Sequence, residues 1–352
     1  MTGFPLITAG LFSFIVCIVS IPLLIKLSIK KNWFDDIDHR KIHTGNISRL
    51  AGLAIFYSMI AGIILGLILM NALGYLPDNV PPGRIAVFFG AYLIVHLIGL
   101  IDDFKNIRPR YKFIAQIAAA LLIMIPGRAF SLLHIPFFNV TLDIGVFGYV
   151  LTALWIIGAC NAVNLIDGMD GLSGGITAIA SLALALIAVV LGNMLTAIIA
   201  FTLFGSLIGF LVFNFPPAKI FMGDSGALFL GFALATLPLL EINYYSDFGF
   251  IIGVSILFIP VIDTLTSMLR RIRRGQSPFH PDREHLHHKL MDRGLSEKKI
   301  LFTIYGVSGL IGLSVFLWAV TQNLIVINVT IIIWILIIIA SLMLEKHHAD
   351  NN

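Results

Sequence analysis

The feature that most constrains this chain is the recurrence, from end to end, of uncharged apolar runs about twenty residues long. As a helix, a run of that length matches the ~30 Å hydrocarbon thickness of a bilayer. Backbone polar groups in lipid must be satisfied within their own segment, so repeated runs of this kind imply a bundle of helices. Composition agrees: 58% of the 352 residues are hydrophobic and 12% are charged, where a soluble domain carries roughly twice that charged share. The chain reads as an all-α polytopic membrane protein with a single domain over 1–352, with no separable soluble unit and no internal repeat.

Windows of about 20 residues place helices near 4–25, 50–73, 84–101, 112–127, 144–160, 173–192, 194–213, 226–240, 248–268, 300–320 and 323–344, about eleven spans. With the N-terminus outside, only Arg84 and Arg128 of the 23 Lys and Arg fall in outer segments, leaving 21 on the inner side. That asymmetry follows the positive-inside rule and puts the C-terminus in the cytoplasm. The net charge of +4 is then a topology signal and implies no nucleic-acid partner. The first run lacks a signal peptide's basic n-region and cleavage site, so it is expected to stay as a helix. Cys17 and Cys160 suggest no disulfide. The outer stretch SLLHIPFFNVTLDIG (131–145) alternates weakly, as a small hairpin does.

Chemistry concentrates in the inner loops. One holds Asp102 and Asp103, followed by Lys105, Arg108, Arg110 and Lys112. A second, NAVNLIDGMDGLSGG, spaces Asn161, Asn164, Asp167 and Asp170 three residues apart among glycines. A third, NFPPAKIFMGDSGAL, holds Asn214 and Asp224. The fourth holds His280, Arg283, His285, His287 and His288. Carboxylates beside lipid are costly and face cavities, partners or water. Carboxylates and asparagine carbonyls suit a hard cation such as Mg²⁺, glycine turns and helix ends suit phosphate oxygens, and Lys, Arg and His suit a pyrophosphate. Together these describe metal-assisted phosphoryl transfer.

Blander readings accompany each feature. Asp102 and Asp103 alone would be a solvated helix end. Asn161 and Asn164 either cap the helix starting near Leu172 or, because Gly168 and Gly171 favour a broken turn, converge with the aspartates. The run RRIRR (270–274) reads as a topology anchor, with phosphate binding second. Asp263, about two turns inside a span, reads as a site residue, with pairing to an arginine as the alternative.

In order and spacing, GLIDDFKNIRPRYK, NAVNLIDGMDGLSGG, NFPPAKIFMGDSGALFLG and HPDREHLHHKL resemble the four cytoplasmic motifs of the polyprenyl-phosphate N-acetylhexosamine-1-phosphate transferases. The H-x-H-H form is similar to the branch that moves GlcNAc-1-phosphate from UDP-GlcNAc to undecaprenyl phosphate, the first membrane step of O-antigen, enterobacterial common antigen or teichoic acid synthesis. The phospho-MurNAc-pentapeptide translocases, with three adjacent histidines, are the alternative within the family; a secondary transporter of an anionic solute is the alternative outside it.

The resemblance implies that Asp102 and Asp103 are catalytic and handle the lipid phosphate. It implies Mg²⁺ (Mn²⁺ substituting) on Asp224 with Asn164. Substrate would meet Lys112, Asn161, Asp167, Asp170, Asn214, Phe221, Arg283, His285, His287 and His288, with Phe221 stacked on uracil. It further implies a multi-pass protein of the bacterial cytoplasmic membrane and a homodimer. One departure stands out: HTGNISRLAG keeps His43 and Arg49 but has Ser48 and Ala51 where the family carries proline and glycine.

Overall fold

In the computed structural model, the described residues are 3–34, 47–74, 82–127, 129–135, 138, 140–240, 248–277 and 285–350. They form thirteen α-helices and one two-stranded hairpin. The helices are α1 (Gly3–Lys31), α2 (Ala51–Ala72), α3 (Pro82–Lys105), α4 (Pro109–Met124), α5 (Phe147–Ile166), α6 (Leu172–Val190) and α7 (Met194–Asn214). They continue as α8 (Gly223–Thr236), α9 (Gly249–Ile256), α10 (Phe258–Arg273), α11 (Leu286–Asp292), α12 (Glu297–Thr321) and α13 (Leu324–Asp350). The expected hairpin is present, with β1 (Leu132–Ile135) antiparallel to β2 (Val140–Asp143) and Leu132 opposite Asp143. Both cysteines are free and buried.

Among the described residues, eight helices are long and apolar enough to cross a membrane, and a ninth span arises if the bent pair α9–α10 counts as one. Two of the eleven expected spans fall short of that length. α4 has 16 residues, and α8 with its 3₁₀ extension covers Gly223–Leu239. The expected span 248–268 is broken, with α9 and α10 meeting at 76°. Pro260 supplies the physical reason, because it cannot donate to the carbonyl of Ile256 four residues back. The fifth helix runs six residues past its expected end at 160, so Asn161 and Asn164 lie on its last turns rather than in a loop. They do not cap α6, whose N-cap is Gly171.

α6 and α7 are the central helices, each 72% buried over its span, whereas α13 is 11% buried and lies at the rim. α7 packs on α1, α2 and α6, and α8 packs on α3 and α5. Small residues let these helices approach closely, as lipid-embedded packing requires. Gly10 lies on the Phe201 carbonyl, and the Ser13 hydroxyl donates to the Thr202 carbonyl at 2.8 Å. α10 is inverted relative to a solvated helix. Leu265, Leu269 and Ile272 are exposed, while Asp263, Thr266, Ser267, Arg270 and Arg271 are buried. In the RRIRR run Arg270 and Arg271 are therefore buried, while Arg273 and Arg274 are exposed.

Candidate active site

The motifs meet around the first turn of α8. Gly223 opens that turn at φ +71°, where an added Cβ would strike the Asp103 carboxylate and the Arg49 carbonyl. Asp103 on α3 accepts the backbone N–H groups of Asp224 at 2.7 Å and Ser225 at 3.0 Å. Two of the unsatisfied donors at the α8 N-terminus are thereby capped from a neighbouring helix, by a charge that suits the positive end of the dipole. Gly99, one turn earlier on α3, leaves room for the Asp224 carbonyl. Residues 48–52 clasp the preceding loop: Phe221 N–H donates to Ser48 O at 2.8 Å, Ala51 N–H to Phe221 O at 3.1 Å, and Gly52 N–H to Met222 O at 3.0 Å. The departures at Ser48 and Ala51 thus leave a clasp made by backbone atoms, which these side chains do not disturb.

So held, Asp224 becomes the centre of a polar chain. Its Oδ2 accepts Lys112 Nζ at 2.8 Å, and Lys112 also donates to Asp102 Oδ2 at 3.1 Å. Asp224 Oδ1 accepts Asn164 Nδ2 at 3.1 Å. Asp102 Oδ1 accepts the Ile107 N–H at 2.9 Å, closing the turn between α3 and α4. Four helices, α3, α4, α5 and α8, each contribute one group.

A second group of expected residues builds the neighbouring turn at 167–171. Asn214 is buried and spent on the scaffold: Oδ1 accepts Gly171 N–H and Nδ2 donates to Ile220 O, both at 2.9 Å. Asp170 Oδ2 accepts the Ala218 N–H at 2.8 Å. The Tyr305 hydroxyl on α12 donates to the Gly171 carbonyl at 2.5 Å. His287 lies on Gly168, where an added Cβ would stand 2.9 Å from Nε2. Its ring is buried, and neither nitrogen has a partner among the described residues. Burial, then the neighbouring His288, lowers His287 to about 3, so the ring is neutral at physiological pH. The His288 ring is tilted 39° to it, with centroids 4.3 Å apart. Phe221 is partly buried beside the clasp. Arg283, His280, His43 and Arg128 lie outside the described residues.

Asn161 is placed differently from its expected role. Its Nδ2 donates to Gln116 Oε1 at 2.8 Å and to Ile157 O at 2.7 Å, tying α5 to α4 beneath Asn164 and Lys112. Gln116 and Tyr305 are residues that sequence reasoning missed. Gln116 carried a signal, being one turn beyond Lys112 on an otherwise apolar helix face. Tyr305 carried none, because its partner is 134 residues away.

Burial, with the negative charges of Asp224, Asp103 and Asp170 nearby, pushes the Asp167 carboxyl up to about 7. An acid raised above its unfolded value near 3.8 binds a proton on folding between those two values. Stability therefore falls as pH rises through that window, and the penalty is complete above it. The thermal midpoint of Asp167→Asn in detergent is expected to gain on wild type steadily from about pH 4 to pH 8; a difference independent of pH would refute the assignment.

Asp224, Asp103 and Asp170 lie near Asp167, and Asp102 shares the one ammonium, Lys112, with Asp224, so the residues favour a cation. Among the described residues no three His, Cys, Asp or Glu groups converge as a metal cage. Mg²⁺ keeps several waters and takes one or two carboxylates plus substrate phosphates. Asp224 fits as the protein ligand. Asn164 points its amide N–H at Asp224 and fits as the residue that orients it.

Comparison with known proteins gives concordant similarities. The family described as glycosyl transferase family 4 matches residues 85–241, which include most of α3, all of α4 to α8 and both carboxylate clusters. The chain is 33% identical over 310 residues to a probable undecaprenyl-phosphate N-acetylglucosaminyl 1-phosphate transferase of Bacillus subtilis, covering 88% of this chain and 84% of the relative. It is 31% identical over 290 residues to a decaprenyl-phosphate N-acetylglucosaminephosphotransferase of Mycobacterium leprae, covering 76% and 72%. A phospho-N-acetylmuramoyl-pentapeptide-transferase of Listeria welshimeri is 28% identical over 333 residues, covering 89% and 97%.

Proposed function

The chain belongs to the polyprenyl-phosphate N-acetylhexosamine-1-phosphate transferases of glycosyl transferase family 4, and from that membership we propose that it transfers GlcNAc-1-phosphate from UDP-GlcNAc to undecaprenyl phosphate. The observation that carries the reading is the chain Asp102–Lys112–Asp224–Asn164 at one end of the bundle. It combines anionic oxygens for a cation with an ammonium for a phosphate, which is what phosphoryl transfer needs. In this reading the site end faces the cytoplasm, the N-terminus lies outside, and the eleven apolar segments lie in the bacterial cytoplasmic membrane, α4 and α8 as short ones.

The acceptor's phosphate oxygen attacks the β-phosphorus of the sugar nucleotide, the bond to the bridging oxygen breaks, and UMP leaves with that oxygen. Lys112, held between Asp102 and Asp224, is placed to neutralise phosphate charge. Asp102 is favoured over Asp103 for the acceptor's proton, because one Asp102 oxygen accepts only from the Lys112 side chain, whereas both Asp103 oxygens are held by backbone N–H groups. Asp103 then positions Asp224. His287, neutral and with neither ring nitrogen bonded among the described residues, supplies hydrogen bonding to the donor beside Asp167. Mg²⁺ on Asp224 would supply charge neutralisation at the pyrophosphate. The product opens O-antigen, common-antigen or teichoic acid synthesis.

The test is UMP release by detergent-purified protein from UDP-GlcNAc, with and without undecaprenyl phosphate and Mg²⁺. Release that needs both is expected. Release with UDP-MurNAc-pentapeptide but not UDP-GlcNAc would move the donor to the alternative within the family.

A further inference from the structure

Asp263 is unaccounted for by the proposed chemistry. It lies on α10, 3% exposed, in the inverted helix whose outer face is apolar. A buried acid in such a segment is costly unless paired. Both its oxygens are engaged by one short segment: Oδ2 lies 2.9 Å from His285 Nδ1, and Oδ1 accepts the Leu286 N–H at 2.8 Å. A carboxylate only accepts, so the proton is on His285 Nδ1. Leu286 is the first residue of α11, so the same group caps that helix. One residue further along, His287 presses on Gly168, with its ring parallel to that of His285 within 5°.

We propose that Asp263 is a positioning residue for the histidine helix, holding His285 and the first N–H of α11 so that His287 is seated against Gly168 in the turn that carries Asp167 and Asp170. The proposal rests on the transferase reading only in naming the bound ligand, the sugar nucleotide. Position at that turn makes Asp263 a determinant of donor binding and not of acceptor binding.

The experiment uses the full chain in detergent with Asp263→Asn and Asp263→Ala. Asparagine keeps one oxygen for the Leu286 N–H but presents an amide N–H to His285, forcing the ring's proton to Nε2. ¹⁵N-histidine NMR should therefore move one histidine from the Nδ1–H to the Nε2–H form in Asp263→Asn. That readout needs no activity, so it decides the dyad even if the transferase assay fails with every donor. In the assay, the KM for UDP-GlcNAc should rise about tenfold or more in Asp263→Ala and less in Asp263→Asn, with the undecaprenyl phosphate KM unchanged. Unchanged tautomers, or a donor KM within about twofold of wild type in both variants, would overturn the proposal. Where Asp263→Ala does not fold, Asp263→Asn carries both readouts: the tautomer change together with a donor KM raised more than about twofold is expected, and either one unchanged would overturn the proposal.

Discussion

Replacing Asp224 by alanine is expected to reduce UMP release by about 10³-fold or more while leaving the helical bundle intact. The size follows from position. Asp224 touches both Lys112 and Asn164, and removing one group that stabilises developing charge costs about 10²–10³-fold elsewhere. Loss of a cation held by that group adds to it. The α8 N-terminus itself should survive, since its caps come from Asp103 and from backbone atoms. Asn164→Ala tests the outer partner: it should cost about 10–100-fold, chiefly as a higher Mg²⁺ concentration for half-maximal rate. If Asp224→Ala keeps more than about a tenth of wild-type rate, the metal is held elsewhere and the centre of the site must be moved.

The bundle was legible in the sequence because a membrane span writes itself as a local run of apolar residues. The fourth and eighth runs, 112–127 and 226–240, read as the short ones, and α4 and α8 are short helices. What hydropathy could not show was the break at Leu257, which depends on a single proline. The site was legible at the level of residues and not of atoms. Asp103, Asp170 and Asn214 are as polar in sequence as Asp102 and Asp224, yet their oxygens are occupied by backbone N–H groups 48 to 122 positions away or across a 43-residue separation. No local pattern distinguishes a carboxylate that caps a distant helix from one that faces substrate. The same limit hid the partner of Asp263, expected to be substrate or an arginine and found to be a histidine 22 residues on. Asn161 differs for a simpler reason: the fifth helix continues past it, which turns it toward Gln116.

Lys112→Met is expected to lower both activity and stability, and the two losses separate. Lys112 stands between two carboxylates whose side chains are 8% and 20% exposed, and is itself 21% exposed. Removing one partner of a fully buried pair costs about 3–5 kcal/mol, because the remaining charge is left uncompensated. Partial exposure here reduces that to about 2 kcal/mol, since water screens what the ammonium no longer does. The loss of stability is electrostatic, so it should shrink when one of the two acids is made neutral. Lys112→Met combined with Asp102→Asn should regain most of the lost thermal midpoint. Added Mg²⁺ should stabilise the single variant more than wild type, because a divalent cation can then occupy the charge-balancing position that the ammonium held. Neither rescue should restore UMP release, which is expected to stay about 10²-fold below wild type. A single variant as stable as wild type would mean that the carboxylates are already compensated by another group, and the polar chain through Lys112 would lose its claim to organise the site.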